Sequence, residues 1–234
     1  MLTTIQLTSV NLLKRGDDLM EVNINTDEKI LLISLDLFSQ RGYSGVSVRD
    51  IAKEVGVRES ALYKHYKNKE DIFNRIIIEV NKKIEEAYSK NSVPKIDSNT
   101  ITEDYRNLSV DMLSQISWNL FQLYVKDPII SSYRKLLSRE QYNNSLAQKM
   151  YRKTFVEGPI NSEAFLFEQF VKSGFFRKED PRIIALHFYG PIFLLFQKYD
   201  MEPNDNEIEQ MIKEHVRVFS NNYRMDGCVV NEGE

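Results

Sequence analysis

The sequence predicts an all-α protein, and three observations carry that prediction. Breakers are scarce, with 9 Gly and 6 Pro against 12 Tyr and 13 Phe in 234 residues. That is too few turn signals for a barrel or sandwich. Apolar residues recur at helical spacing, as at Leu31, Leu35 and Phe38 (i, i+4, i+7). Nothing in the sequence resembles a succession of strands, and no internal repeat is visible.

Composition narrows the class further. Hydrophobic residues make up 42% and charged residues 28%, an ordinary globular balance. Cys228 is the single cysteine, which excludes an internal disulfide and a cysteine zinc site and suits a reducing compartment. The longest compact apolar run, Ile192 to Phe196, is far too short to span a bilayer. Met1 to Val10 lack the basic and apolar regions of a signal peptide. The expectation is a cytoplasmic protein with no membrane partner, no cofactor and no metal.

Residues 1–25 are polar and aperiodic and read as a flexible tail. The codons for Lys14-Arg15-Gly16-Asp17-Asp18 can form a purine-rich ribosome-binding site, so natural translation is expected to start at Met20. Helical patterning begins at Thr26, read as a cap, with Asp27 and Glu28 at the positive end of the helix dipole. Gly42 ends that helix. Ser47 opens a second helix with Asp50 as a capping-box partner, and Gly56 breaks it after Val55. A third helix is expected over 59–66. Asn68 caps a fourth, with Glu70 and Asp71 in its first turn, running to about residue 88. The segment 89–100, polar and holding Pro94, is a loop. Amphipathic segments follow at 102–126, 128–140, 142–156, 160–173, 181–200 and 205–222. Asp127-Pro128, Gly158-Pro159, Gly174 and Asp180-Pro181 mark their limits.

Charge is unevenly spread. Between Arg41 and Lys69 seven basic residues stand against three acidic ones, so this segment is +4 and the rest of a −3 chain is −7. A basic segment on an acidic body points to a polyanion partner for one part only. That segment contains two short helices joined at Gly56. Ile51, Ala52 and Val55 form the inner face of one, and Val57, Ala61 and Leu62 continue it across the turn. This is the form of a helix-turn-helix, whose second helix enters the major groove.

A longer pattern surrounds it: Phe38-x-x-x-Gly42-Tyr43-x-x-Val46-Ser47-Val48-x-x-Ile51-Ala52-x-x-x-Gly56-Val57-x-x-x-x-Leu62-Tyr63-x-His65-Tyr66-x-x-Lys69-x-x-Ile72-Phe73. It resembles the N-terminal domain of the TetR family of bacterial transcriptional regulators. The resemblance implies an N-terminal three-helix helix-turn-helix domain at 26–73 and a C-terminal helical ligand-binding and dimerisation bundle at 74–222. About nine to ten helices and a polar tail at 223–234 complete that layout. It further implies a homodimer on a pseudo-palindromic DNA operator, usually a repressor, released by a small molecule.

Residue roles follow. Ser47 is placed at a helix N-terminus to meet a phosphate, and Arg49 to reach a phosphate or a guanine edge. Glu59, Ser60 and Lys64 lie on the exposed side of the third helix as base readers. Tyr63, His65 and Lys69 match family positions that grip the DNA backbone. Tyr43 and Tyr66 read as core aromatics, and Lys53 and Lys67 as solvated or DNA-facing in equal measure.

In the C-terminal body, Trp118 and Gln122 share a stripe with Ser114 and Gln115, which suits an amphipathic or aromatic ligand. Phe121, Phe155, Phe167 and His187 complete the candidate pocket, each against the alternative of ordinary core packing. Ile192 and Leu195, with Ile208, Met211, Ile212, His215 and Phe219, form apolar stripes on the last two helices. The resemblance makes these the surface of an isologous four-helix dimer, and a monomer burying both stripes is the alternative. Catalytic motifs are missing: no Walker loop, G-x-S-x-G or H-E-x-x-H occurs, and the three histidines are scattered. The chain is therefore expected not to be an enzyme. An architectural or division-control DNA-binding protein without an inducer is the competing reading, favoured by a closed apolar core. In the ligand-responsive reading, binding near Trp118 tilts the fourth helix and changes the spacing of the recognition helices.

Overall fold

The computed structural model describes residues 25–90, with side chains through residue 86, and residues 109–225. The start at Met20, the N-terminal tail up to residue 24, most of the 89–100 loop, the beginning of the 102–126 segment, and the C-terminal tail from 226 with Cys228 lie outside the described residues. Within them the protein is all-α. The helices are α1 (Thr26–Arg41), α2 (Val48–Val55), α3 (Glu59–Leu62), α4 (Lys69–Lys90), α5 (Val110–Lys126), α6 (Pro128–Glu140), α7 (Ser145–Tyr151), α8 (Gly158–Lys172), α9 (Pro181–Met201) and α10 (Asp205–Tyr223).

Helix boundaries follow the cap chemistry of the sequence. Asn25, not Thr26, caps α1, its side chain accepting the Glu28 N–H at 2.9 Å. Asn68 caps α4 by accepting the Asp71 N–H, while the Asp71 carboxylate accepts the Lys67 N–H. Asp127 accepts from Ile129 and Ile130, with Pro128 in the first turn of α6. Asp180 and Pro181 do the same for α9. In each case the proline occupies a position whose N–H has no intrahelical partner.

Two expected helices are shorter than their patterns. The third ends at Leu62, because the Lys64 and His65 N–H groups bond three residues back, to Ala61 and Leu62, tightening the chain into a turn. The 142–156 segment is α7 followed by a π-helical turn, Arg152–Glu157. Gly158 and Pro159 explain that turn. A Cβ on Gly158 would lie 2.1 Å from the Lys153 carbonyl oxygen, so only glycine permits this path. Pro159 has no N–H to give the Phe155 carbonyl four residues back, and the Tyr189 hydroxyl donates to that carbonyl instead at 2.8 Å.

Contacts divide the chain into two compact units. One gathers the described residues up to 86 with 126–151. Its core is the buried set Ile30, Leu35, Phe38, Ile51, Val55, Leu62, Ile72 and Phe73. The rings of Phe38, Tyr43 and Phe73 meet at centroid distances of 5.0 to 6.2 Å. Helix α6 packs on α1 and secures its end. The Glu140 carboxylate accepts the Tyr43 N–H at 2.8 Å, and Arg139 donates to the Gln40 carbonyl at 2.7 Å. Gly42 is required there twice over: its φ is +77°, and a Cβ would meet Glu140 Oε1 at 3.0 Å.

The second unit comprises the described residues of 87–125 and 152–225. Helix α9 packs against α8 and α10. The α8–α9 connection is tied to the end of α10 by an isolated antiparallel bridge between Phe176 and Arg224. Arg177 N–H donates to Tyr223 and Met225 N–H to Phe175 on either side of it.

Candidate functional site

In the first unit the turn between α2 and α3 is built as the sequence pattern requires. Ser47 and Asp50 form a complete capping box: the Asp50 N–H donates to Ser47 Oγ at 3.1 Å, and the Ser47 N–H to Asp50 Oδ2 at 2.8 Å. These bonds from Ser47 hold the Asp50 carboxyl below the usual carboxylate range. Gly56, with φ +81°, ends α2 in the left-handed region and turns the chain toward α3. Ile51, Ala52, Val55 and Leu62 face inward and are buried, which leaves the opposite faces of both helices to solvent.

That outer face carries Ser47, Arg49, Glu59, Ser60, Tyr63, Lys64 and His65, all exposed. Tyr63 stands out at 53% exposure, since an aromatic of this size is usually packed. Arg58, Lys53 and Lys67 are exposed as well. Arg58 was missed as a site candidate although it has a readable signal, a cation between the Gly56 turn and the first residue of α3. Tyr66 is buried, as expected of a core aromatic. Tyr43 is half-buried against Phe38 and Phe73.

Three of the assigned contacts have partners inside the protein. The Ser47 hydroxyl donates to Asp50 at 2.6 Å, so its proton is already committed. His65 Nδ1 lies 3.7 Å from the Asp27 carboxylate. Lys69 departs most from its expected role. Its ammonium donates to the carbonyls of Tyr43 and Val46 at 2.8 and 2.9 Å and lies 4.1 Å from the Tyr43 ring centroid. Desolvation lowers its pKa. Lys69 therefore binds the protein's own backbone and holds the 42–46 turn beneath Ser47.

The second unit contains a cavity with an empty volume of about 660 Å³, its mouth included. Leu113, Ile116, Ser117 and Leu120 of α5 form one wall, and Glu163, Leu166, Phe167 and Phe170 of α8 another. Phe175, Phe176, Phe188, Phe219 and Arg224 close it. The candidate pocket residues are corrected by this arrangement, because only Phe167 lines the cavity. Trp118 and Phe121 are buried on another face of α5, where Phe121 stacks between Trp118 and Phe196 at 5.7 and 5.0 Å. Phe155 packs edge-on to Tyr124. Gln122 is half-buried and lines no part of the cavity, and His187 bonds the Tyr223 hydroxyl. The stripe on α5 was legible in the sequence, but two apolar faces lie on the helix and its sequence alone does not say which of them encloses space.

The stripes assigned to a dimer surface are corrected likewise. Ile192, Leu195, Ile208, Ile212 and Phe219 are buried within the chain, with Ile208 and Ile212 at 0% exposure. His215 donates from Nε2 to the Phe188 carbonyl oxygen at 2.8 Å, and burial lowers its pKa. Met211 alone of the set is exposed. The outward face of α9 carries Ile183, Leu186 and Leu194, continuing to Met201 at the helix end. Val218 joins Met211 on α10. Gly190 lies in the α9 stripe with nothing within 4 Å of a Cβ built on it.

Among the described residues no group of three or more His, Cys, Asp or Glu side chains is placed to hold a metal, and no helix is long and apolar enough to cross a membrane. A family model described as bacterial regulatory proteins, tetR family, matches residues 30–76. The biofilm operon negative transcriptional regulator IcaR of Staphylococcus epidermidis is 40% identical over 50 residues, 21% of this chain and 27% of that protein. The transcriptional regulator AcrR of Shigella flexneri is 47% identical over 51 residues, 22% of this chain and 24% of that protein. The chain thus aligns with about a quarter of the length of these curated relatives. Both are regulators rather than enzymes.

Similarity of fold extends further along the chain. SmeT, the repressor of the Stenotrophomonas maltophilia multidrug efflux pump SmeDEF, superimposes with a TM-score of 0.59 at 18% identity, covering 89% of this chain and 95% of that one. Its complex with triclosan gives 0.62 at 19% identity, covering 89% and 96%. A TerR/AcrR-family regulator from Aquifex aeolicus gives 0.59 at 18%, covering 83% and 99%.

Proposed function

We propose, from the match of residues 30–76 to the tetR-family model, that the chain is a cytoplasmic, homodimeric transcriptional repressor released from its operator by a small molecule. The observation that carries this reading is the exposed row Arg49, Arg58, Ser60, Tyr63 and Lys64 on the outer face of α2 and α3, within a +4 segment of an acidic chain. Phosphate contacts fix the register of such a face on DNA, and side chains reaching base edges select sequence. Two such faces about 34–36 Å apart meet successive major grooves, which is why a dimer reads a pseudo-palindrome.

The cavity in the second unit supports ligand release and counts against an inducer-free architectural protein, which needs no such space. The likeness of fold to SmeT, which has been solved with triclosan, supports the same reading. Coupling between effector and DNA sites is typically about 1–3 kcal/mol, or roughly 5- to 150-fold in operator affinity.

Selection of bound fragments from random duplex DNA across salt concentrations tests the proposal. A pseudo-palindrome with a steep salt slope is the expected result, and recovery of no motif would overturn it. On the selected operator, Lys64→Ala is expected to relax preference at one base position by about 1–3 kcal/mol. Arg49→Ala is expected to weaken all duplexes alike and reduce the salt slope by about 1. Equal loss on operator and random DNA for Lys64→Ala would remove Lys64 from base reading.

A further inference from the structure

We propose that the cavity of the second unit binds a protonated hydrophobic amine, its aromatic or alkyl body among the phenylalanines and its ammonium on the Glu163 carboxylate. The proposal rests on the ligand-responsive reading above and names the chemistry that reading leaves open.

Glu163 is the reason for the choice. It lies one helical turn from Leu166 and Phe167 and so shares the face of α8 that lines the cavity. It is half-buried, and among the described residues no hydrogen bond or ion pair reaches its carboxyl, whereas Glu168 on the same helix pairs with Lys172 at 2.8 Å. A carboxylate held among aromatic rings without a partner raises the free energy of the empty pocket. Burial pushes its pKa up to about 7.

A cation relieves this in two ways. It pairs with the carboxylate in a site of low dielectric, and it meets the negative faces of the surrounding rings. Phe167 stacks with Phe176 at 5.5 Å, and Phe175 with Phe176 at 5.4 Å, which leaves flat aromatic surface for an apolar body. Arg224 is the other charged lining residue, and it is already engaged, its guanidinium 5.2 Å from the Phe175 centroid. An anionic ligand would have to draw Arg224 from that ring and then face Glu163. Open solvent at the mouth is counted in the 660 Å³, and the cavity volume proper is about 90 Å³, which suits a single ring with an alkyl arm in the mouth.

Three probes of matched shape separate the possibilities on the full-length chain by calorimetry: phenylbutylamine, phenylbutanol and phenylbutanoate. The amine is expected to bind at least about tenfold tighter than the alcohol, and Glu163→Gln to abolish that advantage while changing the alcohol less than about threefold. Between about pH 6 and pH 8 the amine stays protonated while Glu163 ionises, so its affinity for the wild-type protein should rise roughly tenfold. The α5, α9 and α10 walls contribute no charged side chain to the cavity, and Arg224 stays charged throughout, so the Glu163→Gln protein should show no such rise. Tightest binding by the butanoate would overturn the proposal, as would undiminished amine binding by Glu163→Gln or failure of all three probes to bind. Release of a selected operator by the alcohol or the butanoate would separate the two ideas, leaving the regulator standing without its amine. Failure to select any operator would remove the regulator while the amine titrations still decide the pocket.

Discussion

Lys69→Met is expected to destabilise the first unit by about 2–3 kcal/mol and to weaken operator binding without altering its salt dependence. The ammonium is the donor for the Tyr43 and Val46 carbonyls and lies over the Tyr43 ring, so methionine fills the volume and leaves both acceptors without that donor. Hydrogen bonds to a charged group are worth about 1.5–3 kcal/mol each, and partial solvent access at Lys69 brings the pair below the sum of two such bonds. The loss falls on the turn that carries Gly42 to Val46 into the Ser47 cap, and from there on the placement of α2. Amide exchange at residues 43–47 should accelerate, and the urea midpoint should fall. A lysine that gripped phosphate would behave differently: its removal would lower the salt slope by about 1 and leave stability nearly unchanged. Measuring the slope and the urea midpoint on one variant therefore decides between the two roles.

The contrast between Lys69 and Tyr63 shows what the sequence could and could not supply. Both positions fit the pattern that marks the helix-turn-helix, and both were assigned to the DNA backbone. Tyr63 is exposed on the turn after α3, free to reach outward. Lys69 begins α4, and its long side chain reaches back over Tyr43 to carbonyls 23 and 26 residues away. Caps and breakers were legible because they act within four residues, as Ser47 with Asp50 and Asn68 with Asp71 do. The role of Lys69 depends on a tertiary turn, and no local spacing reports it. Gly158-Pro159 was readable as an interruption, but the π turn before it depends on the Lys153 carbonyl lying where a Cβ would be. The last two helices illustrate the same limit for burial. Each has apolar residues on more than one face, and the one that the stripe count favoured, through Ile208, Ile212 and Phe219, is occupied by the chain's own core.

The outward faces of α9 and α10 therefore carry the second large prediction. If the chain is the homodimer proposed above, Leu194→Glu is expected to leave a folded monomer and to abolish high-affinity operator binding. Ile183, Leu186 and Leu194 follow one stripe on α9, with exposures of 42%, 50% and 66%, and Met211 and Val218 are exposed on α10 on either side of the Glu214–Arg217 ion pair. An exposed apolar stripe such as that of α9 is the kind of surface a partner covers. Gly190 lies within it and has no neighbour in its own chain to demand glycine, whereas a closely approaching helix would. In an isologous interface each substitution is present twice, so two carboxylates enter the contact. At about 2 kcal/mol or more for each uncompensated charge, dimer dissociation rises by roughly 1,000-fold. The monomer itself should melt as before, since Leu194 is two-thirds exposed and gives little to its own core. Sedimentation equilibrium reads the assembly state and thermal denaturation the fold. If Leu194→Glu remains dimeric and still binds operator, the partner surface lies elsewhere than on these faces. If it is monomeric yet binds one half-site at the affinity of the dimer on the full operator, the two DNA faces act independently and the reading of a coupled pair fails.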